Sequence, residues 1–453
     1  MNKGILSIVA LVFLSGCMVG PKYSRPQQAT PSAYYEANSS IDTAGSVANL
    51  KWFDLYQDPA LRALLDSTLR NNLDLRIAVA RIDQAREFYG ISKAQLYPSL
   101  GYNVSASENF SNNGSASSFS MGLGLSWELD IWGKIRHARN AALDELLASE
   151  EGMKAVKSTL VASMATAYFQ LRDYDNRLSI SRSTVKVRQE SLELLQQRFE
   201  KGYISEWDVL QAKQLVADAQ ASVAAYERAV ALTEHVMCTL MAATPKQLAR
   251  GLQNMEQPKP PIIPAGLPSS VLEQRPDVRQ AEYLYMREVE KIGVAQAMRF
   301  PSLQLTGLLG VASGDISGLL TADAMTGSIA AGLLGPVFEF NKNKRRVSAQ
   351  QKAAEAAALN YTQTNIQAIQ EVEDALVAIE TLTKELVARD QQVDAARKVV
   401  ALSQARYDSG FTSYLELLDA QRTLFQTELL ASAIRQQQLS AYVELYRALG
   451  GGW

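Results

Sequence analysis

The segment RYDSGFTSYLELLDAQ, residues 406–421, resembles an earlier segment, RFEKGYISEWDVLQAK, residues 198–213. The two segments carry arginine, aromatic, acidic, glycine, serine and leucine residues at the same positions. Gly202 and Gly410 are 208 positions apart, and the other matches keep this offset. Each segment lies between two long stretches of helical periodicity. The pattern therefore predicts that the chain contains the same helix–turn–helix unit twice.

The repeated segment has the residues that are expected where one helix ends and the next begins. A glycine can end a helix in the left-handed conformation, and a serine followed three residues later by an acid can cap the next helix. Three pairs of positions meet these needs: Gly202 and Gly410, Ser205 and Ser413, and Asp208 and Glu416. We therefore predict that each segment is the tip of a helical hairpin.

The duplication extends beyond the hairpin tips. LDLRIAVARIDQAREFYGISKAQLYPSL (73–100) resembles PDVRQAEYLYMREVEKIGVAQAMRFPSL (276–303), and both end in Pro-Ser-Leu. Prolines between residues 258 and 268 interrupt any helix there and mark a link. We predict a first repeat at 56–255 and a second repeat at 256–453.

In each repeat a predicted helix is followed by two predicted strands. The period becomes alternating after Pro98, and residues 121–131 alternate between large apolar residues and small or polar ones. The polar run SNNGSASS (111–118) is expected to be the loop between these strands. The strands are predicted at about 99–130 in repeat 1 and 301–338 in repeat 2. Their length of about 10 to 13 residues suits tilted strands that cross an outer membrane, although a one-faced sheet on a soluble core would alternate in the same way.

Long helices follow the strands, at about 133–242 in repeat 1 and 341–449 in repeat 2. Apolar residues recur every seven positions, which indicates coiled-coil seams. The first seam consists of Met164, Leu171, Leu178, Val185, Leu192 and Phe199, with Leu160, Ala167, Tyr174, Ser181, Arg188 and Leu195 at the alternate positions. A helix of about 65 residues would extend roughly 100 Å.

The first sixteen residues predict a targeting segment. Lys3 precedes a short apolar run that is too short to span a bilayer, so residues 1–16 are expected to be a signal peptide. Leu14-Ser15-Gly16-Cys17 resembles the lipobox of bacterial lipoproteins, which implies cleavage before Cys17 and acylation of that residue. Residues 17–55 would then form a lipidated extended segment.

Composition excludes several classes of function. The formal charge of −2 provides no basic field for nucleic acid, and the chain contains only two histidines and two cysteines. No spacing of these residues suits a metal site, and no catalytic motif is present. We therefore expect no enzyme activity, no metal and no cofactor other than a covalent lipid on Cys17. Cys238 is interpreted as a buried apolar residue.

Together, these features resemble the outer membrane efflux proteins, in particular the lipoprotein branch that serves tripartite multidrug pumps. The most specific matches are WELDIWGKIR (127–136), LPSSVLEQRPDVRQAE (267–282), FPSLQLTG (300–307), YLELLDAQRTLF (414–425) and YRALGGGW (446–453). The resemblance implies a mixed α+β membrane protein: a homotrimeric twelve-stranded β-barrel, with four strands per chain, continued by a periplasmic α-barrel of twelve helices.

The resemblance also implies a location and partners. The chain would be anchored by its lipid in the outer membrane of a Gram-negative bacterium, with a long periplasmic portion. Its hairpin tips (Gly202, Ser205, Gly410 and Ser413) would contact a periplasmic adaptor, which couples it to an inner-membrane pump, expected to be proton-driven. Drugs or other small toxic compounds would pass through it to the exterior.

Functional positions of the family can be transferred to the second tip. Leu415 and Asp419 match the constriction of the lipoprotein branch, and Glu416 with Asp419 matches the acidic mouth of the non-lipidated branch. A tyrosine–aspartate linkage between hairpins matches Tyr407 and Asp208. The family's partner arginine falls at Thr412, so that part of the linkage is absent here. Coiled-coil packing is an equally good interpretation of Leu415.

Two other functions fit parts of the sequence. An exit duct for type I protein secretion would need the same pore. A structural envelope lipoprotein would need the coiled coils, but not two strand hairpins of membrane length.

Overall fold

The computed structural model describes residues 18–26, 34–35, 58–111, 114–253, 257 and 272–451. The signal peptide, Cys17, most of the lipidated segment and the proline-rich link therefore lie outside the described residues. The chain divides into two compact units. Unit 1 comprises Met1–Gln28, Val79–Glu151 and Arg279–Thr364, and unit 2 comprises Ala29–Ala78, Gly152–Val278 and Asn365–Trp453.

Seven α-helices lie entirely within the described part of the chain. They are α1 (Pro59–Asn71), α2 (Leu73–Ala94), α3 (Lys134–Glu200), α4 (Glu206–Leu240), α5 (Pro276–Ala297), α6 (Lys342–Asp408) and α7 (Tyr414–Ala448). The first hairpin (α3 and α4) has helices of 67 and 35 residues, and so does the second hairpin (α6 and α7). These lengths confirm the long helices of each repeat. None of the described helices has a stretch apolar enough to span a bilayer.

Unit 1 contains a four-stranded antiparallel sheet in the order β1-β2-β3-β4. Its strands are β1 (Ser99–Ser111), β2 (Gly114–Leu129), β3 (Ser302–Ser313) and β4 (Met325–Leu334). The expected loop at 111–118 is wrong in its extent, because β1 and β2 pair as far as Ser111 opposite Gly114. Backbone hydrogen bonds hold this ladder regardless of side-chain polarity, so a run rich in serine and asparagine still forms strands.

One face of the sheet is apolar and exposed. The register places Tyr102 beside Leu123 and Leu123 beside Leu309, so alternate residues of neighbouring strands share this face. Tyr102 is 85% exposed and Ile329 is 94% exposed. The opposite face is rich in serine, glycine and threonine. A sheet on a soluble core would bury its apolar face, so this arrangement favours strands that contact lipid.

Asp130 fixes the start of α3 just after the sheet. Its carboxylate accepts hydrogen bonds from the backbone N–H groups of Ile135 and Arg136, each at 2.9 Å, and from the Arg136 Nε at 3.0 Å. Trp132 donates from its indole nitrogen to the Pro301 carbonyl at 2.8 Å and stacks on Phe300. These contacts explain why WELDIWGKIR joins a strand to a helix at this point.

The first residues after Cys17 pack on unit 1. The Val19 N–H donates to the Trp132 carbonyl at 3.2 Å. The Tyr23 hydroxyl donates to Glu282 at 2.7 Å, and the Arg25 guanidinium donates to both carboxylate oxygens of the same residue at 2.9 and 2.8 Å. The segment that follows the predicted lipidation site is therefore held to α5 by one shared carboxylate.

Unit 2 has a core built from the seams of the long helices. Met164, Leu171 and Val372 are fully buried, which confirms the heptad pattern at its centre. Cys238 is also fully buried, as expected. Toward the tips, Arg188 is buried as its seam position predicts, whereas Phe199, which is also a seam position, is 42% exposed.

Asp144 gives unit 1 a predicted dependence on pH. Burial raises the pKa of its carboxyl to about 7, and the nearby Glu290 carboxylate adds to the effect. The folded chain therefore keeps this proton while the unfolded chain loses it near pH 4. We expect stability to fall as the pH rises from about 4 to about 7, and Asp144→Asn to weaken this dependence.

Melting temperatures of the purified protein at pH 5 and pH 8 provide the measurement. Asp83→Asn is a suitable control, because the Asp83 carboxylate is exposed and pairs only with its helix neighbour Arg86 among the described contacts. An Asp144→Asn protein with the wild-type dependence on pH would show that Asp144 does not cause it.

Candidate functional site

The two hairpin tips have the same backbone structure. Gly202 and Gly410 have φ angles of 75° and 78°, in the left-handed region that glycine adopts without strain. The N–H groups of these glycines bond the carbonyls of Phe199 and Tyr407, at 2.8 and 3.0 Å. The N–H groups of the next residues, Tyr203 and Phe411, bond the carbonyls five positions earlier in the chain. Both helices thus end in a Schellman motif, which confirms the predicted role of the glycines.

The two tips differ in how the next helix is capped. Ser205 and Asp208 form the expected capping box, in which the Asp208 carboxylate accepts from the Ser205 N–H at 3.2 Å. Ser413 is the N-cap of α7, but its predicted box with Glu416 is wrong. Glu416 instead accepts hydrogen bonds from the Thr412 hydroxyl at 2.5 Å and the Ser403 hydroxyl at 3.4 Å.

The expected linkage between Tyr407 and Asp208 is replaced by another contact in this conformation of the chain. The Tyr407 hydroxyl accepts a hydrogen bond from Arg198 Nη1 at 2.6 Å. The Arg198 guanidinium also lies 5.0 Å from the centre of the Tyr407 ring. Asp208 is engaged in the cap of its own helix, including a 2.8 Å bond from the Ser205 hydroxyl. Arg198 of α3 is therefore the hydrogen-bond partner of Tyr407.

A small apolar core joins the two hairpins at their tips. Leu195 of α3 and Ala212 of α4 cluster with Tyr414, Leu417 and Leu418 of α7. Each of these side chains is less than a tenth exposed. The tips are therefore packed against each other within one chain, and moving them apart would expose this core.

Leu415 lies outside that core. Its side chain is 49% exposed, whereas Leu417 and Leu418 are 1% and 5% exposed. Leu417 and Leu418, rather than Leu415, therefore pack against other residues of the same chain. Asp419, one helical turn from Leu415, has a side chain that is 61% exposed and forms an ion pair with Arg422 at 2.6 Å. Leu415 and Asp419 are therefore available on the surface of α7 near the tip.

Glu416 lies between these two residues in sequence but is tied to α6. Its carboxylate is 3.6 Å from Arg406 Nε, in addition to its bonds with Thr412 and Ser403. An acidic mouth would thus receive less negative charge from Glu416 and Asp419 than the sequence alone implies, since Arg406 and Arg422 are close to them.

Exposed aromatic side chains surround the tip glycines. Tyr203 and Phe411 follow the glycines directly and are 77% and 81% exposed, and Trp207 is 53% exposed. Large aromatic residues at a surface are typical of contact sites for another protein. An aromatic residue follows the tip glycine in both repeats. This recurrence in the sequence could have predicted that the two tips expose similar surfaces.

Comparison with known proteins places the whole chain among efflux channels. A family model described as "Outer membrane efflux protein" matches residues 64–242 and 267–451. The solvent efflux pump outer membrane protein SrpC of Pseudomonas putida is 34% identical over 467 aligned residues, which cover 99% of this chain and 98% of that protein. The cation efflux system protein CusC of Escherichia coli O157:H7 is 28% identical, with 99% and 98% coverage.

The fold is similar to that of solved outer membrane channels. The open state of the MtrE outer membrane channel of Neisseria gonorrhoeae superposes with a TM-score of 0.88 at 31% identity. The match covers 96% of this chain and 98% of the channel. The similarity thus includes both the sheet and the long hairpins.

Proposed function

The chain belongs to the outer membrane efflux protein family, and we propose that it forms the exit channel through which a tripartite pump releases small toxic compounds. The observation that carries this function is the exposed apolar face of the four-stranded sheet, in a chain that also has two long helical hairpins. A structural envelope lipoprotein would not need such a face. Membership in a family of efflux channels likewise argues against an enzyme.

The sheet requires other copies of the chain. Within one chain, β1 and β4 are edge strands, and an open edge in lipid leaves backbone N–H and C=O groups without partners. Eight strands are about the minimum for a membrane barrel, so one chain is insufficient. Three chains related by threefold symmetry supply twelve strands and pair each β4 with the β1 of a neighbour.

The protein is located in the outer membrane. A covalent lipid on Cys17 would add membrane affinity to that of the barrel. The contact of Val19, Tyr23 and Arg25 with unit 1 supports this arrangement, because it keeps the chain near Cys17 on the folded protein.

A periplasmic adaptor is the proposed partner of the hairpin tips. The tips end in Gly202 and Gly410, are capped by Ser205 and Ser413, and expose aromatic side chains beside these residues. The adaptor would in turn couple the channel to an inner-membrane pump. The two tips share one backbone structure, so a trimer would offer six similar contact points.

The constriction of the channel is proposed at Leu415, Asp419 and Glu416. In a trimer each residue occurs three times around one axis, so three leucines would narrow the water column and the acids would favour cations. The exposure of Leu415 and Asp419 supports this placement. The ion pairs with Arg406 and Arg422 would moderate the preference for cations.

Small apolar compounds are the proposed cargo. Several relatives at 33% to 34% identity are named for solvent, toluene or antibiotic efflux, whereas the cation efflux relatives are 28% identical. These names favour organic compounds over metal ions. They also favour efflux over protein secretion.

Deleting the gene in its host tests this function. We expect the deletion strain to retain more of a hydrophobic fluorescent dye and to become more sensitive to toluene, with both effects reversed by the wild-type gene. A complementing variant with Leu123→Arg, which places a charge on the lipid-facing side of β2, should fail. Unchanged dye retention, with increased sensitivity only to metal cations, would contradict organic cargo.

A further inference from the structure

Arg188 is a buried cation in the seam of the first hairpin. It is 3% exposed, and its Nη1 donates to the Leu215 carbonyl at 2.6 Å and approaches the Asp218 carboxylate at 3.3 Å. Its Nε and Nη2 are buried and have no hydrogen-bond partner among the residues that the structure describes. Burial lowers the pKa of this guanidinium. A cation with incomplete hydrogen bonding is costly to bury.

Arg198 lies ten positions further along α3 and is better satisfied. It donates to the Tyr407 hydroxyl at 2.6 Å while its guanidinium covers the Tyr407 ring. The ring in turn packs against Tyr414 at 5.1 Å between centroids. Arg198 is half-buried, and none of its side-chain nitrogens is among the buried atoms that lack a hydrogen-bond partner in the described part of the chain. A cation–π contact and a charge-assisted hydrogen bond both stabilise this pair.

Both arginines connect the first hairpin to the second. Arg198 contacts Tyr407 of α6, and the Arg188 guanidinium lies 5.0 Å from the centre of the Phe425 ring of α7. The apolar core that joins the tips lies in the same region. Moving the second hairpin away from the first would therefore break both arginine–aromatic contacts.

The sequence repeat provides an internal comparison for Arg188. At the offset of 208, the second copy has Ala396 in place of Arg188, and the first copy has Ala217 in place of Phe425. Ala396 is buried in its own hairpin. The hairpin structure thus accepts a small apolar residue at this position, and the coiled coil does not require an arginine there.

We propose that Arg198 and Arg188 have opposite effects on the equilibrium between a closed tip, in which the two hairpins are packed together, and an open tip, in which they are separated. Arg198 holds the hairpins together through Tyr407. Arg188 opposes closure, because the cost of burying its unpaired Nε and Nη2 groups outweighs its contact with the Phe425 ring, and separation of the hairpins lets water reach these groups. This inference rests on the proposed channel function and assigns the packed tip to the resting, closed state.

Conductance of purified trimers in planar bilayers tests whether the two arginines have opposite effects on channel opening. Arg198→Ala should raise the open probability by about fivefold, since each chain loses a stabilising contact. Tyr407→Phe, which keeps the ring and removes the hydroxyl, should raise it less. Arg188→Met replaces the cation with an apolar side chain of similar length and should lower the open probability of an Arg198→Ala channel toward the wild-type value.

Arg182→Met is the matched control for Arg188→Met. Arg182 lies on the same helix, pairs with Glu227 of the same hairpin and has a side chain that is 61% exposed, so its loss should leave gating unchanged. Arg188→Met should also raise the melting temperature of the trimer, as expected when an incompletely satisfied buried charge is removed.

The outcomes separate this inference from the proposed function. If Arg188→Met raises the open probability as Arg198→Ala does, then Arg188 also stabilises the closed tip, and the proposal that the two arginines have opposite effects is wrong. If neither arginine changes gating while Leu415→Ala does, the channel function stands and the inference fails. If wild-type and Leu415→Ala trimers both fail to conduct, the proposed function itself is overturned.

Discussion

Leu171→Asp is expected to abolish assembly of the channel. Leu171 is fully buried in the largest apolar core of unit 2, together with Met164, Tyr168 and Val372. A carboxylate there would have to be buried without a partner or be hydrated by opening the helices. We expect the free energy of unfolding to fall by about 5 kcal/mol or more. This is a large fraction of the stability of an ordinary domain.

Trimer yield and melting temperature measure this effect. Leu171→Met is the matched control, because it keeps an apolar side chain of similar volume and should cost less than about 1.5 kcal/mol. A Leu171→Asp protein that assembles and melts like the wild type would show that the heptad seam does not stabilise the fold.

The periodicity of the sequence was sufficient to predict the helices and most of the strands. The seven-residue repeat predicted helices that the structure places at Lys134–Glu200 and Lys342–Asp408. The alternating pattern likewise predicted the sheet, because the side-chain period of a strand is two. The error at residues 111–118 has a simple cause: serine and asparagine favour turns, but a backbone ladder that is already formed can include them.

The details of the tip could be predicted only in part. The glycines and the first capping box depend on residues close in sequence, and both predictions were confirmed. The second box failed because Thr412 and Ser403 compete for the Glu416 carboxylate. The Arg198–Tyr407 contact joins residues 209 positions apart, so it depends on how the hairpins pack. No local pattern encodes that arrangement.

Leu415→Ala is expected to widen the proposed constriction. Each substitution removes most of an exposed apolar side chain, and threefold symmetry would multiply the effect at the axis. Leu430 provides a matched control, because it is an exposed leucine of the same helix, at 46% compared with 49% for Leu415. It lies roughly 22 Å further from the tip along α7. Leu430→Ala should therefore leave conduction unchanged.

Single-channel conductance of purified trimers in planar bilayers is the most direct test of the channel and of its gate. We expect wild-type trimers to insert and conduct weakly, Leu415→Ala trimers to conduct at least about twofold more, and Leu430→Ala trimers to match the wild type. Equal conductance in all three proteins would place the constriction elsewhere. Trimers that insert but conduct no ions, with or without Leu415, would contradict the account of this chain as an exit channel.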